Sequence, residues 1–366
     1  VARRKHIDVY RWNDTLTNLH LGTGQVLVST LIKAPQLALY YYVWGLAESW
    51  GLPRWGEGLW AWVGAFIIMD AFYYFFHRYS HEFNFLWAAH AVHHQSEEYN
   101  LSVALRQSWI QNLFSGFFYL PMALLGVPVK TFFIVNALNT LFQFWIHTRL
   151  ISTIGPLEWV LNTPAHHRVH HGVDDEYVDK NYAGVFIIWD RMFGTFTPEG
   201  APARYGVIKP LRSWNTGWAN IDIWAHMWGR IREGSLSLID RALLPLRAPA
   251  WRGEAEPLLQ MTLRTDTDYQ NYDAQTPWSL YVIISGGLSF ISASWVIHMS
   301  QELPPVPLAC WVSAHLVVGI SLGGLMEGRS WALPLESLRL IFLPILALFC
   351  PLSSSEAGGE ISRWLL

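Results

Sequence analysis

The sequence predicts an all-α integral membrane protein: a transmembrane helix bundle that carries a cytoplasmic, histidine-rich helical catalytic lobe. Three observations lead there. Of 366 residues, 52% are hydrophobic and only 14% charged, whereas an ordinary globular chain is about a quarter charged. Apolar runs recur at the length of about 20 residues that a bilayer requires. Ten histidines lie between His77 and His171, eight of them in three tight clusters beside those runs. The 21 tryptophans and 15 tyrosines suit aromatic belts at two membrane interfaces.

Taken in order, the apolar runs fall at roughly 24–47, 58–76, 109–127, 131–148, 278–298, 306–325 and 333–351, with Lys33, Asp70 and Arg339 interrupting three of them. The pair at 109–148 turns near Pro121 to Pro128 and reads as a helical hairpin that returns to its starting side. All three histidine clusters then share one face of the membrane. Arg3, Arg4, Lys5, Arg11 and most basic residues of 149–264 lie on that face, whereas Arg54 and Lys130 are the main cations opposite. By the positive-inside rule the histidine face is cytoplasmic. The expected location is a multi-pass protein of a bacterial inner membrane or the endoplasmic reticulum.

Four segments follow: 1–57, an N-terminal segment and first membrane helix; 58–210, the catalytic domain; 211–275, a cytoplasmic or interfacial helix and linker; and 276–366, C-terminal membrane helices without a recognisable motif. Within the third, Trp214, Trp218, Ile221, Trp224, Trp228 and Ile231 recur at helical spacing. Such a stripe either packs into the core or lies in the interface plane. The chain begins with Val1 rather than Met, which leaves open whether residues or a membrane segment precede it. A net charge of -3 argues against a nucleic-acid partner. Cys310 and Cys350 lie in apolar stretches far from the histidines, which supports neither a thiolate metal site nor a disulfide framework.

The clusters are His77 and His81 in HRYSH, His90, His93 and His94 in HAVHH, and His167, His170 and His171 in HRVHH. On a helix, i/i+3/i+4 residues share a face, so each cluster is expected to point its ligands in one direction. Eight convergent imidazoles exceed one ion's shell and suit two metal ions. Imidazole without thiolate, and with few carboxylates nearby, suits iron, zinc, copper or nickel. Two metals with an open position beside a bilayer suggest oxygen activation against an unreactive carbon–hydrogen bond. Zinc lacks the redox change for that, so iron is the expected working metal even where a purified sample carries zinc. His6, His20, His226, His298 and His315 are scattered and read as ordinary residues.

These clusters, with HEFNFLWAAHAVHHQSEEYNLSVALRQS (81–108), QFWIHT (143–148) and LNTPAHHRVHHGVDDEYVDKNYAGVFIIWDRMFGTF (161–196), resemble the fatty acid hydroxylase and sterol desaturase superfamily. The flanking words resemble its alkylglycerol monooxygenase branch. The resemblance runs from about 58 to 210 and more faintly through the C-terminal helices. It implies a non-haem di-iron mixed-function oxygenase of ether lipids, with O2 as oxidant and tetrahydrobiopterin as donor. It assigns the eight clustered histidines as ligands and adds His147 as a ninth. Gln143 stands where some fatty acid hydroxylases carry a further histidine, which favours the alkylglycerol branch. Asn181, Trp189, Asp190 and Gly194 match a superfamily word and are expected to hold the lobe together.

Among the remaining polar residues, Glu82 follows a ligand and is expected to orient an imidazole or a metal-bound water. Glu98, Tyr99 and Asn100 either line a head-group pocket or cap a polar loop. Arg106 and Arg168 are candidates for meeting a pterin or a phosphate. A long apolar cavity is expected between 58–76 and 109–148, with its polar end near the metals and residues 98–100. Competing readings are a sterol or fatty-acyl hydroxylase or desaturase of the same superfamily, and a membrane metal transporter. A transporter would hold its ligands near the bilayer midplane, whereas these sit at helix ends.

Overall fold

The computed structural model describes residues 9–232, 236–251 and 277–350. Arg3, Arg4, Lys5 and His6, and the linker residues 252–276, lie outside the described residues. Twelve helices follow one another: α1 Trp12–Ser49, α2 Leu59–Glu82, α3 Asn84–His94, α4 Gln111–Leu124, α5 Val129–Trp145, α6 Pro164–His170, α7 Ile188–Phe193, α8 Thr216–Arg232, α9 Leu238–Leu243, α10 Ser279–Met299, α11 Pro305–Met326 and α12 Ala332–Phe349. Among the described residues the only β pairing is two isolated bridges, Leu161 with Phe186 and Gly172 with Tyr205.

Among the described residues, four helices are long and apolar enough to cross a membrane: α2, α10, α11 and α12. That corrects the seven expected spans. The hairpin turns where expected, but α4 has 14 residues and α5 has 17. At 1.5 Å per residue they reach about 21 and 26 Å, short of a hydrocarbon core of about 30 Å. The helix α1 is long enough at 38 residues, but Lys33, Pro35 and Gln36 interrupt its apolar character. At the hairpin turn Gly126 has φ 81°, and a Cβ there would stand 2.3 Å from the Pro53 carbonyl oxygen. Only glycine meets both demands.

The helix α1 is the seam of the molecule. It packs on α4 on one side and on α10 and α11 on the other. Near its start Asn18 donates to Ser102 in the loop that follows the second histidine cluster. Near its far end Tyr40 and Trp44 donate to the carbonyls of Val127 and Gly126 at the hairpin turn. The histidine clusters and the hairpin turn therefore occupy opposite ends of the bundle.

The C-terminal helices hold ionic chemistry that no motif announced. Glu336 and Arg339 pair within α12 at 2.5 Å, with both side chains buried. Tyr281 of α10 and Ser321 of α11 donate to the same carboxylate. Ionisable groups in apolar helices persist only when paired and turned inward. Glu336→Leu would leave Arg339 buried without a counter-ion, at a cost of about 3–5 kcal/mol. Thermal unfolding in detergent should drop accordingly, and an unchanged midpoint would show that Arg339 reaches water.

Candidate metal centre

Nine imidazoles converge at one end of the bundle, and they form two groups. His77, His81, His90, His94 and His170 make the first; His93, His147, His167 and His171 make the second; within each group the ligating nitrogens lie within 4.8 Å of one another. The partition cuts across the sequence clusters. On α3, His90 and His94 are one turn apart and face the first group, whereas His93 is rotated toward the second. On α6 the arrangement is reciprocal: His167 and His171 serve the second group and His170 the first. The expectation that each cluster points one way is corrected: at 3.6 residues per turn His93 and His170 sit about 100° round the helix from His94 and His171, on opposite edges of the shared face, which is enough to reach the neighbouring group. Each short helix thus contributes to both groups.

The outward nitrogens are fixed by acceptors. Nδ1 of His77 donates to the Tyr182 carbonyl at 2.7 Å, of His170 to Lys180 at 3.0 Å, of His93 to Arg106 at 2.9 Å and of His147 to Gln143 at 2.8 Å. The Gln111 side-chain oxygen stands 3.2 Å from Nδ1 of His90, and the Asp179 carboxylate 3.5 Å from Nδ1 of His81. A carbonyl only accepts, so these contacts place the proton on Nδ1 and leave Nε2 as a bare lone pair. Yet Nε2 of His77 and His90 approach to 3.1 Å, and those of His93 and His147 to 3.3 Å. Two lone pairs at that distance repel. A cation between them removes the repulsion, since metal–imidazole bonds of about 2.0–2.1 Å bring neighbouring nitrogens to roughly 3 Å.

Burial says the same. Nε2 of His81, His170 and His171 is buried and lacks a hydrogen-bond partner. Burial and the neighbouring imidazoles push His90, His94, His167, His170 and His171 well below the ordinary imidazole range, and burial brings His93 down to about 4. Neutral imidazole is the ligand form. The residues present therefore fit two cations. His166, beside the cluster, faces Phe196 and belongs to neither group.

Two carboxylates brace the centre from behind, and sequence reading missed the first, taking it as an interruption of a membrane run. Asp70 of α2 is fully buried. Its oxygens accept from the Val185 and Phe186 amides, the Trp189 indole and the Asn139 side chain, at 2.6–2.9 Å. A Cβ at Gly184 would stand 2.7 Å from that carboxylate, so the glycine permits the close approach. Asp190 accepts from the Tyr182 and Ala183 amides and from Thr195. Between them they fix the segment whose carbonyls at 180 and 182 orient His170 and His77. Asn181, with φ 56°, donates to the His166 and Thr197 carbonyls, and Gly194 ends α7 with φ 73°.

The other polar candidates make bonds to protein. Glu82, part exposed, pairs with Arg78 at 2.7 Å. Glu98 lies 3.7 Å from Arg11 and 3.5 Å from Arg149. Asn100 donates to the Val9 carbonyl and accepts from Ser102, the geometry of a loop cap. Tyr99 stacks on Tyr205 and donates to the Ile146 carbonyl. Arg106 is buried and donates to Val92, Asn18 and Gln95, and Arg168 holds Glu199 and the carbonyls of Thr148, Ile151 and Ser152. Arg106 thereby ties α1 to α3 and its C-terminal cap, and Arg168 grips the loop that follows His147.

A mainly apolar cavity of about 530 Å³ opens between α1, α4 and α5. Its walls include Leu37, Tyr40, Phe117, Leu120 and Phe132, with Ser29, Gln36 and Asn112 as polar points. The expected wall from 58–76 is supplied by α1 instead. Asn112, which lines the cavity, adjoins Gln111, whose side chain meets His90.

Residues 62–195 match the fatty acid hydroxylase family. The chain is 39% identical over 346 residues to an alkylglycerol monooxygenase of Xenopus tropicalis, covering 91% of this chain and 75% of that protein. It is 38% identical to that of Danio rerio, over 92% of this chain and 76% of the relative. The human alkylglycerol monooxygenase is 35% identical, over 91% and 75%. No solved structure matches the chain.

The two-group geometry makes a stoichiometric prediction. Metal analysis of the purified protein should give two ions per chain, and His147→Ala should lower that toward one while the first group keeps its ion. His226→Ala, an exposed residue outside both groups, should leave the content at two.

Proposed function

The chain belongs to the alkylglycerol monooxygenase family, and we propose that it hydroxylates the alkyl carbon next to the ether oxygen of alkylglycerol lipids. The observation that carries the reading is the pair of buried imidazole groups with their bare nitrogens turned inward. His77, His81, His90, His94 and His170 hold one iron, and His93, His147, His167 and His171 the other; zinc can occupy the same nitrogens in a purified sample. Bound iron supplies the oxygen and one-electron chemistry that no protein side chain offers.

The protein's share is placement and exclusion. The carbonyls of Arg106, Gln143, Lys180 and Tyr182 hold His93, His147, His170 and His77 in one tautomer, while burial keeps His93, His147 and His170 neutral. Burial of all nine keeps bulk water from the oxidising centre, which limits side reactions. The cavity between α1, α4 and α5 takes the alkyl chain, in the size range usual for small-molecule sites. One atom of O2 enters the carbon–hydrogen bond and the other leaves as water, consuming two electrons and two protons. Tetrahydrobiopterin is the proposed donor of those electrons. The resulting hemiacetal collapses to a fatty aldehyde and a free glycerol hydroxyl.

The site faces the cytoplasm of a bacterial inner membrane or the endoplasmic reticulum, a placement supported by the asymmetry of basic residues. The catalytic unit spans 58–210, and α1 contributes the cavity's outer wall.

Two results are expected. Iron-loaded protein given a labelled 1-alkylglycerol, O2 and reduced pterin should release the labelled fatty aldehyde. Hydroxylation at a remote chain carbon, a desaturated product, or turnover of a sterol alone would move the protein to another branch of the superfamily. Gly116→Phe should fill the cavity, since a Cβ there already comes within 2.8 Å of Gln36. It should lower kcat/KM at least tenfold for a long alkyl chain and much less for a short one, with metal content unchanged.

A further inference from the structure

The helix α8 presents the wrong face to the protein for a water-soluble helix. Its buried residues are Thr216, Gly217, Ala219, Asn220 and Met227, mostly small or polar. Its exposed residues include Trp218, Ile221 and Trp228, at positions i, i+3 and i+10 of one helical face. The following short helix α9 continues the pattern: Leu238 is 81% and Ile239 71% exposed, and Leu243 and Leu246 are exposed as well. The two helices join through Met227, Leu236 and Leu244, so the exposed side chains belong to one packed unit. Isolated exposed apolar residues need no explanation, but a group of seven this large does.

Where the unit sits identifies what covers it. Asn220 accepts from Ser108 and the Trp109 amide, just before α4. Trp224 stacks on Phe114, in the first turn of α4. Gly217 meets Ile320 of α11, and the amide just before α8, at Trp214, donates to Glu327 at the C-terminal cap of α11. Gln95, beside the ligand His94, donates to the Ala219 carbonyl. Every membrane-side element that α8 touches is touched near its histidine-side end. The unit therefore lies level with the boundary where α11 leaves the bilayer.

Charge completes the picture. Between Lys209 and Trp251 the sequence carries six Lys or Arg and three Asp or Glu, in a chain whose net charge is -3. Arg232 lies over the Trp228 ring and Arg230 and Arg247 over Trp251. Tryptophan and leucine beside arginine is the composition of a helix that lies in the headgroup layer, where cations are attracted to an anionic leaflet. We propose that α8 and α9 are embedded in the headgroup layer of the leaflet on the histidine side and bind anionic phospholipid there. This surface seats the metal lobe against the lipid from which its substrate comes. The inference rests on the membrane reading of α2 and α10–α12 and not on the identity of the substrate.

The test uses the full chain in nanodiscs, with Cys310→Ser and Cys350→Ser removing the native thiols. A nitroxide is attached at Ile239→Cys or, as an aqueous reference on the same side, at exposed Glu176→Cys. Both proteins must retain the parent metal content, which reports folding independently of turnover. Power saturation with O2 and with a nickel chelate reads the depth of each label. The Ile239 label should show an O2-to-nickel collision ratio several-fold above that of the Glu176 label. Replacing part of the phosphatidylcholine with phosphatidylglycerol should raise that ratio further. Equal ratios at the two positions would overturn the proposal, as would an Ile239 label shielded from both reagents, the signature of a protein partner or second copy. Indifference to phosphatidylglycerol would overturn the preference for anionic lipid.

Discussion

The structure is organised around a repulsion. Nine imidazoles are packed at one end of a helix bundle, and backbone carbonyls, a side-chain amide and a carboxylate meet the outer nitrogens of six of them, so that bare lone pairs of His77 and His90 face each other at 3.1 Å and those of His93 and His147 at 3.3 Å. A protein interior does not tolerate such an arrangement unless cations neutralise it. The fold must therefore both bring the ligands together and keep them from relaxing apart. Two short helices, α3 and α6, each feed both groups, which couples the two ion positions mechanically. Displacement of either helix would disturb both.

What ties α5, α7 and the segment leading into α7 to α2 is a buried carboxylate inside a membrane helix. Asp70 gathers two loop amides, an indole and an asparagine amide, and through Asn139 it reaches Gln143, whose carbonyl orients His147. The same four donors would each lose about 1–3 kcal/mol of satisfaction without it. Asp190 does the equivalent for the amides at 182 and 183. The arginines Arg106 and Arg168 act from the opposite side by capping carbonyls next to ligands. Most of the polar residues around the centre are thus engaged in bonds within the protein, and the cavity between α1, α4 and α5 is mainly apolar.

Much of this was legible in the sequence because histidine spacing and hydrophobic length are local properties. The ligand-rich words, the helical hairpin and the three C-terminal helices could all be read directly. The division of HAVHH and HRVHH between two groups could not, since it depends on how α3 and α6 are rotated against each other. Asp70 looked like a blemish in an apolar run, and only its partners 115 and more residues away reveal it as a tie. The lengths of α4 and α5 were overestimated because apolar residues continue into the turns that flank them. The Glu336–Arg339 pair was invisible for the same reason as Asp70: charge in an apolar segment has meaning only through its partner.

The account stands or falls on the ligand set. X-ray absorption at the iron edge of the iron-loaded protein measures it most directly. The structure requires a first shell dominated by imidazole nitrogen, with the outer-ring scattering typical of histidine and a second metal within a few ångströms. A shell dominated by oxygen or sulfur, or an isolated ion with no metal neighbour, would contradict it.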